Sequence, residues 1–557
     1  MLSGCGSRTS LADYQGVAPG AGSSSTGGAG SGAVGGAGGV FGGGGVLSSG
    51  GMLSTGGIGT GGVPSGGSAP GGTGSAPPLS YIDYFKSLSP DSEELYGARV
   101  ALSADGQTMA VGSPYERSSA VGINGDPFNQ DLPESGAVFV YVRQDDVWTL
   151  QAYIKAHSPD SGDQFGWALD LSASGDRLAV GAVGEGSRAV GVDGDATNNA
   201  APFSGAAYVF SRVAGVWTQD AYVKATNTET SDAFGCAVSL SSGGSTLAVG
   251  AYGESSAATE VQGDQSDNSK PSSGAVYILT SAGAGWTHQA YLKAPNSDLY
   301  DAFGFSLALS GDGNTLVVGA PYESSAATGV NHGMGDEDAP SAGSAYVFER
   351  SGSTWAATAY LKSINTAQDQ LFGHTVDISA VGSTIAVGAI NEHSLSSGVN
   401  GDPFDDSGGP VGAVYVLERS SLAWAHGAYI KASNPQNAFF GYGLALTSEG
   451  NALLVGAIAE ASAAVGIDGD QTDTSLPGAG AAYLFVRGPP AWEQLAYLKA
   501  TNPVSYAGFG YSVALDDRAE IVAIGAPYES GSSAGINGDP AEQAANSAGA
   551  VYVYRFE

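Results

Sequence analysis

Seven lysines recur along this chain at an almost constant spacing. They are separated by 69 residues, except for the last interval of 68. The series is Lys86, Lys155, Lys224, Lys293, Lys362, Lys431 and Lys499. A fixed period of this length is the signature of a repeat architecture, in which every unit buries the same faces against its neighbours.

Each repeat contains four short runs with strand character, separated by Gly, Asp, Asn and Ser. In the repeat that opens at Phe165 the runs are residues 168–171, 177–181, 206–211 and 221–224. The second run is continuously apolar, and the third alternates small or aliphatic with aromatic residues, as strands do. No stretch shows a helical period. The sequence therefore predicts an all-β chain.

Four strands per repeat and seven repeats predict a seven-bladed β-propeller spanning residues 80–557. Residues 81–87 resemble the fourth strand of the other repeats, and residues 551–557 resemble the third. The first segment would thus complete the last blade. This closes the ring and leaves no unpaired sheet edge, whereas an open array would end on whole or capping repeats.

Three motifs recur in these repeats: a Phe-Gly opening, a Val-Gly-Ala-Pro core (Val318 to Pro321) and the strand AVYVY at residues 550–554. Together they resemble FG-GAP repeats, which form the seven-bladed propeller of integrin α chains. The resemblance covers roughly residues 81–557. It implies a propeller, but it implies less about function, because one fold supports many activities.

The family's calcium loop, resembling DxDxDG, lies between the first two strands of a blade. The corresponding turns here contain too few carboxylates, as in Ser103-Ala104-Asp105-Gly106. We therefore do not predict calcium binding at these turns.

Residues 1–79 have a different composition. No charged residue occurs between Asp13 and Asp83, and Gly, Ser, Ala and Thr dominate. Such a segment is predicted to be a disordered tether. Cys5, in Leu2-Ser3-Gly4-Cys5, resembles the acylated cysteine of a bacterial lipobox and would place the protein in the cell envelope, as an outward-facing outer-membrane lipoprotein, or among secreted proteins. The basic and apolar parts of a signal peptide are missing, so either the true start codon lies upstream or the match is chance.

The net charge of −34 falls almost entirely on the repeats. It argues against nucleic-acid binding and against docking on anionic lipid headgroups, both of which need basic patches. Membrane association would depend on Cys5 alone. Apart from Cys5 the chain has one cysteine, Cys236, which we interpret as a small buried residue.

Between its second and third strands each repeat carries an insertion of about 20 residues that begins with Glu and continues to a Gly-Asp step. Carboxylate and amide oxygens on Gly-containing turns are what Ca²⁺ prefers. The alternative is turn chemistry, in which Asn or Asp adopts positive φ and Asp caps backbone groups. The candidate metal ligands are Glu116, Asn124, Asp126, Glu185, Asp193, Asp195, Glu254, Asp264, Glu323, Asp336, Glu392, Asn400, Asp402, Glu460, Asp468, Asp470, Glu529, Asn537 and Asp539.

The residue after Phe-Gly (Tyr-Gly in the first repeat) varies among the repeats and would lie near one mouth of the central channel. The aromatic or imidazole members could form a floor for a ligand, or they could fill a wide hub. The ligand-binding candidates at this position are Trp167, Phe305, His374, Tyr442 and Tyr511.

Two further recurrent residues have structural interpretations. The lysine ends the fourth, outermost strand, where a charge discourages edge-to-edge pairing, and a carboxylate on a neighbouring loop could pair with it. Six periodic tryptophans (Trp148, Trp217, Trp286, Trp355, Trp424 and Trp492) are predicted to pack under the blade rim, with exposed sugar-stacking platforms as the alternative.

No histidine recurs in every repeat, and no triad or metal motif is present, so the sequence favours a protein that is not an enzyme. The leading hypothesis is a monomeric binding or adhesion module outside the cell, which contacts protein or glycan through the propeller-face loops with assistance from cations. The alternatives are a secreted carbohydrate-active enzyme with its site at the channel mouth, or a passive scaffold.

Overall fold

A computed structural model describes residues 79–556, except residues 284, 422, 437, 489 and 490. The predicted tether and Cys5 lie outside the described residues. The described part of the chain consists of 28 strands joined by turns and loops, and no helix in it could cross a bilayer.

The strands form seven antiparallel sheets of four, one sheet per blade. Blade 1 contains β2 (Arg99–Leu102), β3 (Thr108–Ser113), β4 (Ala137–Gln144) and β5 (Val147–Ile154). Blade 2 contains β6 (Phe165–Leu171), β7 (Arg177–Ala182), β8 (Ala206–Val213) and β9 (Val216–Val223). Blade 3 contains β10 (Val238–Leu240), β11 (Thr246–Ala251), β12 (Ala275–Ser281) and β13 (Trp286–Leu292).

The remaining blades repeat this order. Blade 4 contains β14 (Ser306–Leu309), β15 (Thr315–Ala320), β16 (Ser344–Ser351) and β17 (Thr354–Leu361). Blade 5 contains β18 (Phe372–Ile378), β19 (Thr384–Ala389), β20 (Ala413–Ser420) and β21 (Ala423–Ile430). Blade 6 contains β22 (Phe440–Leu446), β23 (Ala452–Ala457), β24 (Ala481–Arg487) and β25 (Trp492–Leu498). Blade 7 contains β26 (Ser512–Leu515), β27 (Ile521–Ala526) and β28 (Ala550–Phe556), and β1 (Leu79–Phe85) is its fourth strand.

The ring closes as predicted, because the first strand of the chain pairs with the last. Strand β1 runs antiparallel to β28, with Ile82 opposite Tyr554 and Phe85 opposite Val551. Blades 7 and 1 also meet directly, since Tyr96 forms a bridge with Gly549. The all-β, seven-bladed, closed propeller predicted from the repeat is therefore confirmed.

The two glycines of the recurrent motifs lie where neighbouring blades approach most closely. A Cβ added to Gly181, in the Val-Gly-Ala segment of blade 2, would lie 1.9 Å from the carbonyl oxygen of Gly235, in the Phe-Gly segment of blade 3. Gly235 also has a φ of 86°, which favours glycine. The preceding Phe234 is fully buried in the core shared by blades 2 and 3. The motifs therefore specify how blades pack.

The turns between first and second strands meet around one end of the central channel. Backbone N–H groups of one turn donate to a carbonyl of the next blade, as from Ala104 to Ala173 (3.0 Å), Ala173 to Ser242 (3.0 Å) and Ser242 to Gly311 (2.9 Å). Asp517 donates to Ala104 (3.0 Å) and continues this ring across the joint between blades 7 and 1. The inner strands and these turns line a cavity of about 180 Å³. We call this end the turn end of the channel.

The periodic tryptophans pack under the blade rim, as predicted. Trp217 is 4% exposed and donates its Nε1–H to Gln151 Oε1 of the preceding blade at 2.9 Å. The guanidinium carbon of Arg212 lies 5.3 Å from the centre of the Trp217 ring. Such cation–π contacts stabilise the outer layer of the blade.

Candidate functional site

Every blade contains a buried ion pair between the periodic lysine and the glutamate that opens the insertion. In blade 1, Lys155 Nζ lies 2.6 Å from Glu116 Oε2 and donates to Ser135 Oγ at 2.7 Å. Tyr153 donates its hydroxyl to Glu116 Oε1 at 2.8 Å. Burial lowers the pKa of Lys155, and the charge of Glu116 opposes that shift. The seven pairs are Lys86–Glu529, Lys155–Glu116, Lys224–Glu185, Lys293–Glu254, Lys362–Glu323, Lys431–Glu392 and Lys499–Glu460.

This arrangement corrects the interpretation of the lysine as an edge charge. Lys155 follows the last residue of β5 directly, but its side chain is fully buried. A fully desolvated ammonium group needs a carboxylate and further acceptors, and the insertion glutamate and a serine provide them.

The insertion glutamate also connects neighbouring blades. Asn227, in the segment that leads from blade 2 to blade 3, donates its amide to Glu254 Oε1 of blade 3 at 3.0 Å and accepts from the Tyr277 hydroxyl. Equivalent asparagines are Asn296, Asn365, Asn434 and Asn502. Both glutamate oxygens are thereby held by protein donors.

The Asn-Gly-Asp segment of the insertion covers the outer edge of its own blade. Ile123 forms a bridge with Ile154, the last residue of the outermost strand. Asn124 donates its N–H to Tyr153 O at 2.7 Å, and its Oδ1 accepts the N–H of Tyr153 at 3.0 Å. Asn124 has a φ of 57°, which Asn and Asp tolerate. The counterparts, all at positive φ, are Asp193, Gln262, Asn331, Asn400, Asp468 and Asn537.

The aspartate two residues later caps an exposed turn. Asp126 Oδ1 accepts the N–H of Phe128 at 3.0 Å. The same turn is made by Asp195, Asp264, Asp402, Asp470 and Asp539. In blade 4, Asp336 instead accepts the N–H of Ala326 at 2.7 Å.

The three residue types predicted as cation ligands thus have separate protein partners. Glu116 pairs with Lys155 in the core, Asn124 caps the strand edge, and Asp126 caps a turn. Within the described residues no group of three or more His, Cys, Asp or Glu side chains is arranged to hold a metal ion. A cation at the insertions would compete with these hydrogen bonds, and calcium stays a prediction.

A second set of buried carboxyl groups lies in the segments that lead from one blade to the next. Burial raises the pKa of Asp163 to about 7, that of Asp232 to about 8 and that of Asp301 to about 7. Burial likewise raises the pKa of Glu94 to about 8. In blade 5 the equivalent residue is the neutral Gln370, so the neighbourhood of the insertion glutamate is not the same in all blades.

The residues after Phe-Gly form a collar around the other mouth of the channel. The ring centres of Phe305 and His374 lie 5.2 Å apart, those of His374 and Tyr442 5.1 Å, and those of Tyr442 and Tyr511 4.9 Å. Trp167 packs beside the buried Cys236. All five rings are half-buried, so one part of each fills the hub and another part faces the channel. The structure thus brings the five ligand-binding candidates together at one mouth.

The collar contains one cation that the sequence analysis did not identify. The guanidinium carbon of Arg99 lies 5.7 Å from the centre of the Tyr511 ring, and Nη1 donates to Ala98 O at 2.8 Å. Burial lowers the pKa of His374 to about 3, and the charge of Arg99 adds to that effect. His374 is therefore neutral. Its Nδ1 is buried and has no hydrogen-bond partner among the described residues.

Asp170 and Asp377 lie on the inner strands at the turn end of the channel. Asp170 accepts the N–H of Leu171 at 2.8 Å and that of Leu240, in the next blade, at 2.7 Å. Asp377 makes the same pair of contacts in blades 5 and 6. Burial raises the pKa of Asp170 to about 6 and that of Asp377 to about 7. Their carboxylate oxygens accept hydrogen bonds from two adjacent inner strands, so these aspartates have a structural role.

We call the side of the ring that bears the seven insertions the insertion face. It comprises residues 114–136, 183–205, 252–274, 321–343, 390–412, 458–480 and 527–549. The collar lies on this side, because the segments entering each first strand run along it. Large apolar side chains are exposed here, with Phe128 at 67%, Phe203 at 53% and Phe404 at 72%. The insertion face therefore combines exposed aromatic rings with exposed carboxylates around a half-buried aromatic collar.

Comparison with known proteins agrees with this architecture. The FG-GAP repeat model matches residues 217–279, 286–348 and 492–554. Together with the seven four-stranded blades, these matches make the chain an FG-GAP β-propeller. No curated protein sequence matches it.

Two solved structures are similar to this chain at low sequence identity. One is the β-propeller domain of Myceliophteria thermophila Cps50 (Swd1), with 9% identity, a TM-score of 0.46, and coverage of 86% of this chain and 100% of that one. The other is a putative 6-phosphogluconolactonase from Bacteroides uniformis, with 10% identity, a TM-score of 0.40, and coverage of 70% of this chain and 84% of that one.

Proposed function

We propose that this propeller is a binding module that contacts an extracellular protein or glycan through its insertion face. The lysine, glutamate and tyrosine repeated in every blade are buried and bonded to one another, and the six tryptophans pack under the blade rim, so these side chains serve the fold. The side chains that differ between blades lie on the insertion face.

The single observation that supports the proposal most strongly is the exposure of aromatic side chains on loops that are hydrogen-bonded to the edge of the blade. Phe128 and Phe404 lie two residues after the aspartates that cap their turns, Asp126 and Asp402. Each insertion is bound to the edge of its own blade, so these rings are presented with little freedom to withdraw. Rigid exposed aromatic residues are typical anchors of binding surfaces, because they bury a large area at a low entropic cost.

The test is a binding screen with a matched control. The full chain is measured against immobilised extracellular proteins and polysaccharides. The insertion-face variant Phe128→Ser/Phe404→Ser is compared with Val213→Ser/Val216→Ser, which alters two exposed valines on the opposite side. We expect at least a tenfold loss of affinity in the first variant only, since anchor residues contribute about 2 kcal/mol or more each. Equal binding by both variants would contradict the proposal.

Assistance by cations is a separate part of this proposal. The candidate oxygens already have protein donors, so we expect any Ca²⁺ effect to come from the exposed turn aspartates and to be small. The melting temperature and the affinity for an identified ligand are measured in 1 mM Ca²⁺ and in excess chelator, concentrations chosen to span the range of about 10⁻⁴–10⁻³ M typical of extracellular calcium modules. A Ca²⁺-dependent shift of the native chain that is lost in variants at Asp126, Asp402 and Asp539 would support a calcium role, whereas unchanged values in the native chain would remove it.

We also propose display on the outside of a cell, supported by the acidic repeats and by the similarity of residues 2–5 to a lipobox. Mass analysis of the N-terminal peptide from the native host tests this, with Cys5→Ser as the control. An unmodified Cys5 in a mature chain would contradict lipid anchoring.

A further inference from the structure

The collar at the channel mouth combines two features that point to one kind of ligand. It has a half-buried cation and a wall of aromatic rings. Arg99 makes no ion pair with any other described residue, although the chain has a net charge of −34. In comparison, each of the seven buried lysines is paired with its own carboxylate, as Lys155 is with Glu116 at 2.6 Å.

The position of Arg99 leaves the outer edge of its guanidinium available. Its Nη1 donates to Ala98 O, and its guanidinium carbon lies 5.7 Å from the centre of the Tyr511 ring. A guanidinium offers five N–H donors in a planar fork that matches a carboxylate. The cation–π contact with Tyr511 restrains the side chain and reduces the entropy lost on binding.

The aromatic wall adds a second requirement. Phe305, His374, Tyr442 and Tyr511 stand side by side at about 5 Å over four consecutive blades. Such a wall packs well against a ring that has an apolar C–H face. His374 is neutral, so it adds no charge to this wall, and its Nδ1 is buried there without a partner among the described residues.

We propose that the collar binds a uronate residue, a sugar ring that carries a carboxylate, at an end or a branch of an acidic glycan. The carboxylate pairs with Arg99, and the ring packs against Tyr511 and Tyr442. This inference rests on the proposed binding function and specifies the ligand class at the centre of the insertion face.

The acidic surface opposes an anionic ligand at long range. At physiological ionic strength, exposed charges are screened beyond about 8 Å, so the groups inside the collar decide the affinity. The test uses the full chain and isothermal titration calorimetry with trigalacturonate. Its neutral counterpart, galactotriose, and a short peptide with a free terminal carboxylate are titrated in parallel.

We expect trigalacturonate to bind at least ten times more tightly than the other two probes. Arg99→Gln is expected to reduce that affinity at least tenfold. Arg518→Gln, which removes the same charge from an exposed side chain, should leave the affinity unchanged. Tyr511→Leu should weaken trigalacturonate binding while Arg99 is still present.

Several results would overturn the uronate assignment. These are the absence of trigalacturonate binding, equal binding of galactotriose, tighter binding of the peptide, or an Arg99→Gln variant that binds trigalacturonate like the native chain. The probe comparison on the native chain is independent of whether any variant folds. The ligand found in the binding screen separates the two proposals. If the Phe128→Ser/Phe404→Ser variant loses affinity for that ligand while Arg99→Gln retains it, the uronate assignment fails and the proposed function stands.

Discussion

At the residue scale, the buried lysine–glutamate pair is the most repeated device in this propeller. Each pair brings two charges into an interior that would exclude either one alone. Replacing one partner leaves the other charge desolvated without compensation. Replacing both partners removes the desolvation cost together with the attraction between the charges.

We expect Lys224→Met to lower the free energy of unfolding by about 3–5 kcal/mol, because Glu185 stays buried without its cation. The double variant Lys224→Met/Glu185→Leu should cost less than this single change, since Tyr222 retains the hydroxyl of Ser187 at 2.6 Å. Urea denaturation measures both variants. A double variant less stable than the single one would show that the pair contributes more than its desolvation costs.

Asp232 supplies a pH-dependent prediction. Burial raises its pKa to about 8, although a hydrogen bond from the N–H of Glu229 opposes the shift. The folded state therefore holds a proton that the unfolded state releases near pH 4, and stability falls as the pH rises between these values. Asp232→Asn should flatten this decline and raise the melting temperature at pH 8, with little change at pH 5. If the melting temperatures of the native chain and the variant changed equally between pH 5 and pH 8, the raised pKa of Asp232 would be contradicted.

Residue types were predictable where they repeat and not where they occur once. The lysine and glutamate series are both evident in the sequence, but their pairing is not, because Lys155 and Glu116 lie 39 residues apart on different elements. The tyrosine two residues before each lysine carries the same period and could have identified the third partner. Arg99 has no counterpart in other repeats, so no sequence signal distinguished it.

At the element scale, the insertion acts as an edge cover for its own blade. The Asn-Gly-Asp segment was predicted either as a turn or as a cation site, and its backbone angles and hydrogen bonds are those of the turn. The sequence could not show that this turn pairs with the outermost strand, because the contact depends on how the insertion folds back over the blade.

Substitution of Asn124 tests the edge cover. Asn124→Ala loses a hydrogen bond and places at positive φ a residue without the short polar side chain that makes this conformation tolerable, so we expect a loss of about 1–3 kcal/mol. Asn124→Asp should cost little, because Asp193 and Asp468 occupy the same position in blades 2 and 6. Thermal melting compares the two variants. Equal losses would indicate that the backbone contacts alone hold the insertion.

At the scale of the whole molecule, seven blades form one closed ring whose joint is a strand pair. The number of blades, the order of strands and the closing strand were all predictable, since they follow from the repeat and its two incomplete ends. The collar could be predicted only as a set of variable positions. Its side-by-side geometry depends on the diameter of the hub.

Deleting residues 79–87 should expose the edge of β28 and remove Lys86, which pairs with Glu529 at 2.9 Å. We expect the shortened chain to associate through that edge, because an unpaired strand recruits another. Size-exclusion chromatography measures this, and a synthetic peptide of residues 79–87 should restore the species seen for the native chain. A shortened chain that behaves like the native one without peptide would contradict the role of β1 in closure.

The pairing of Leu79 with Phe556 has a consequence for how the chain could be rearranged. The two ends of the described chain are adjacent partners in one antiparallel ladder, so a short hairpin turn could join them. New ends could then be opened in any insertion, and each circular permutant would preserve the same seven sheets while a different blade became the one assembled from both ends of the polypeptide.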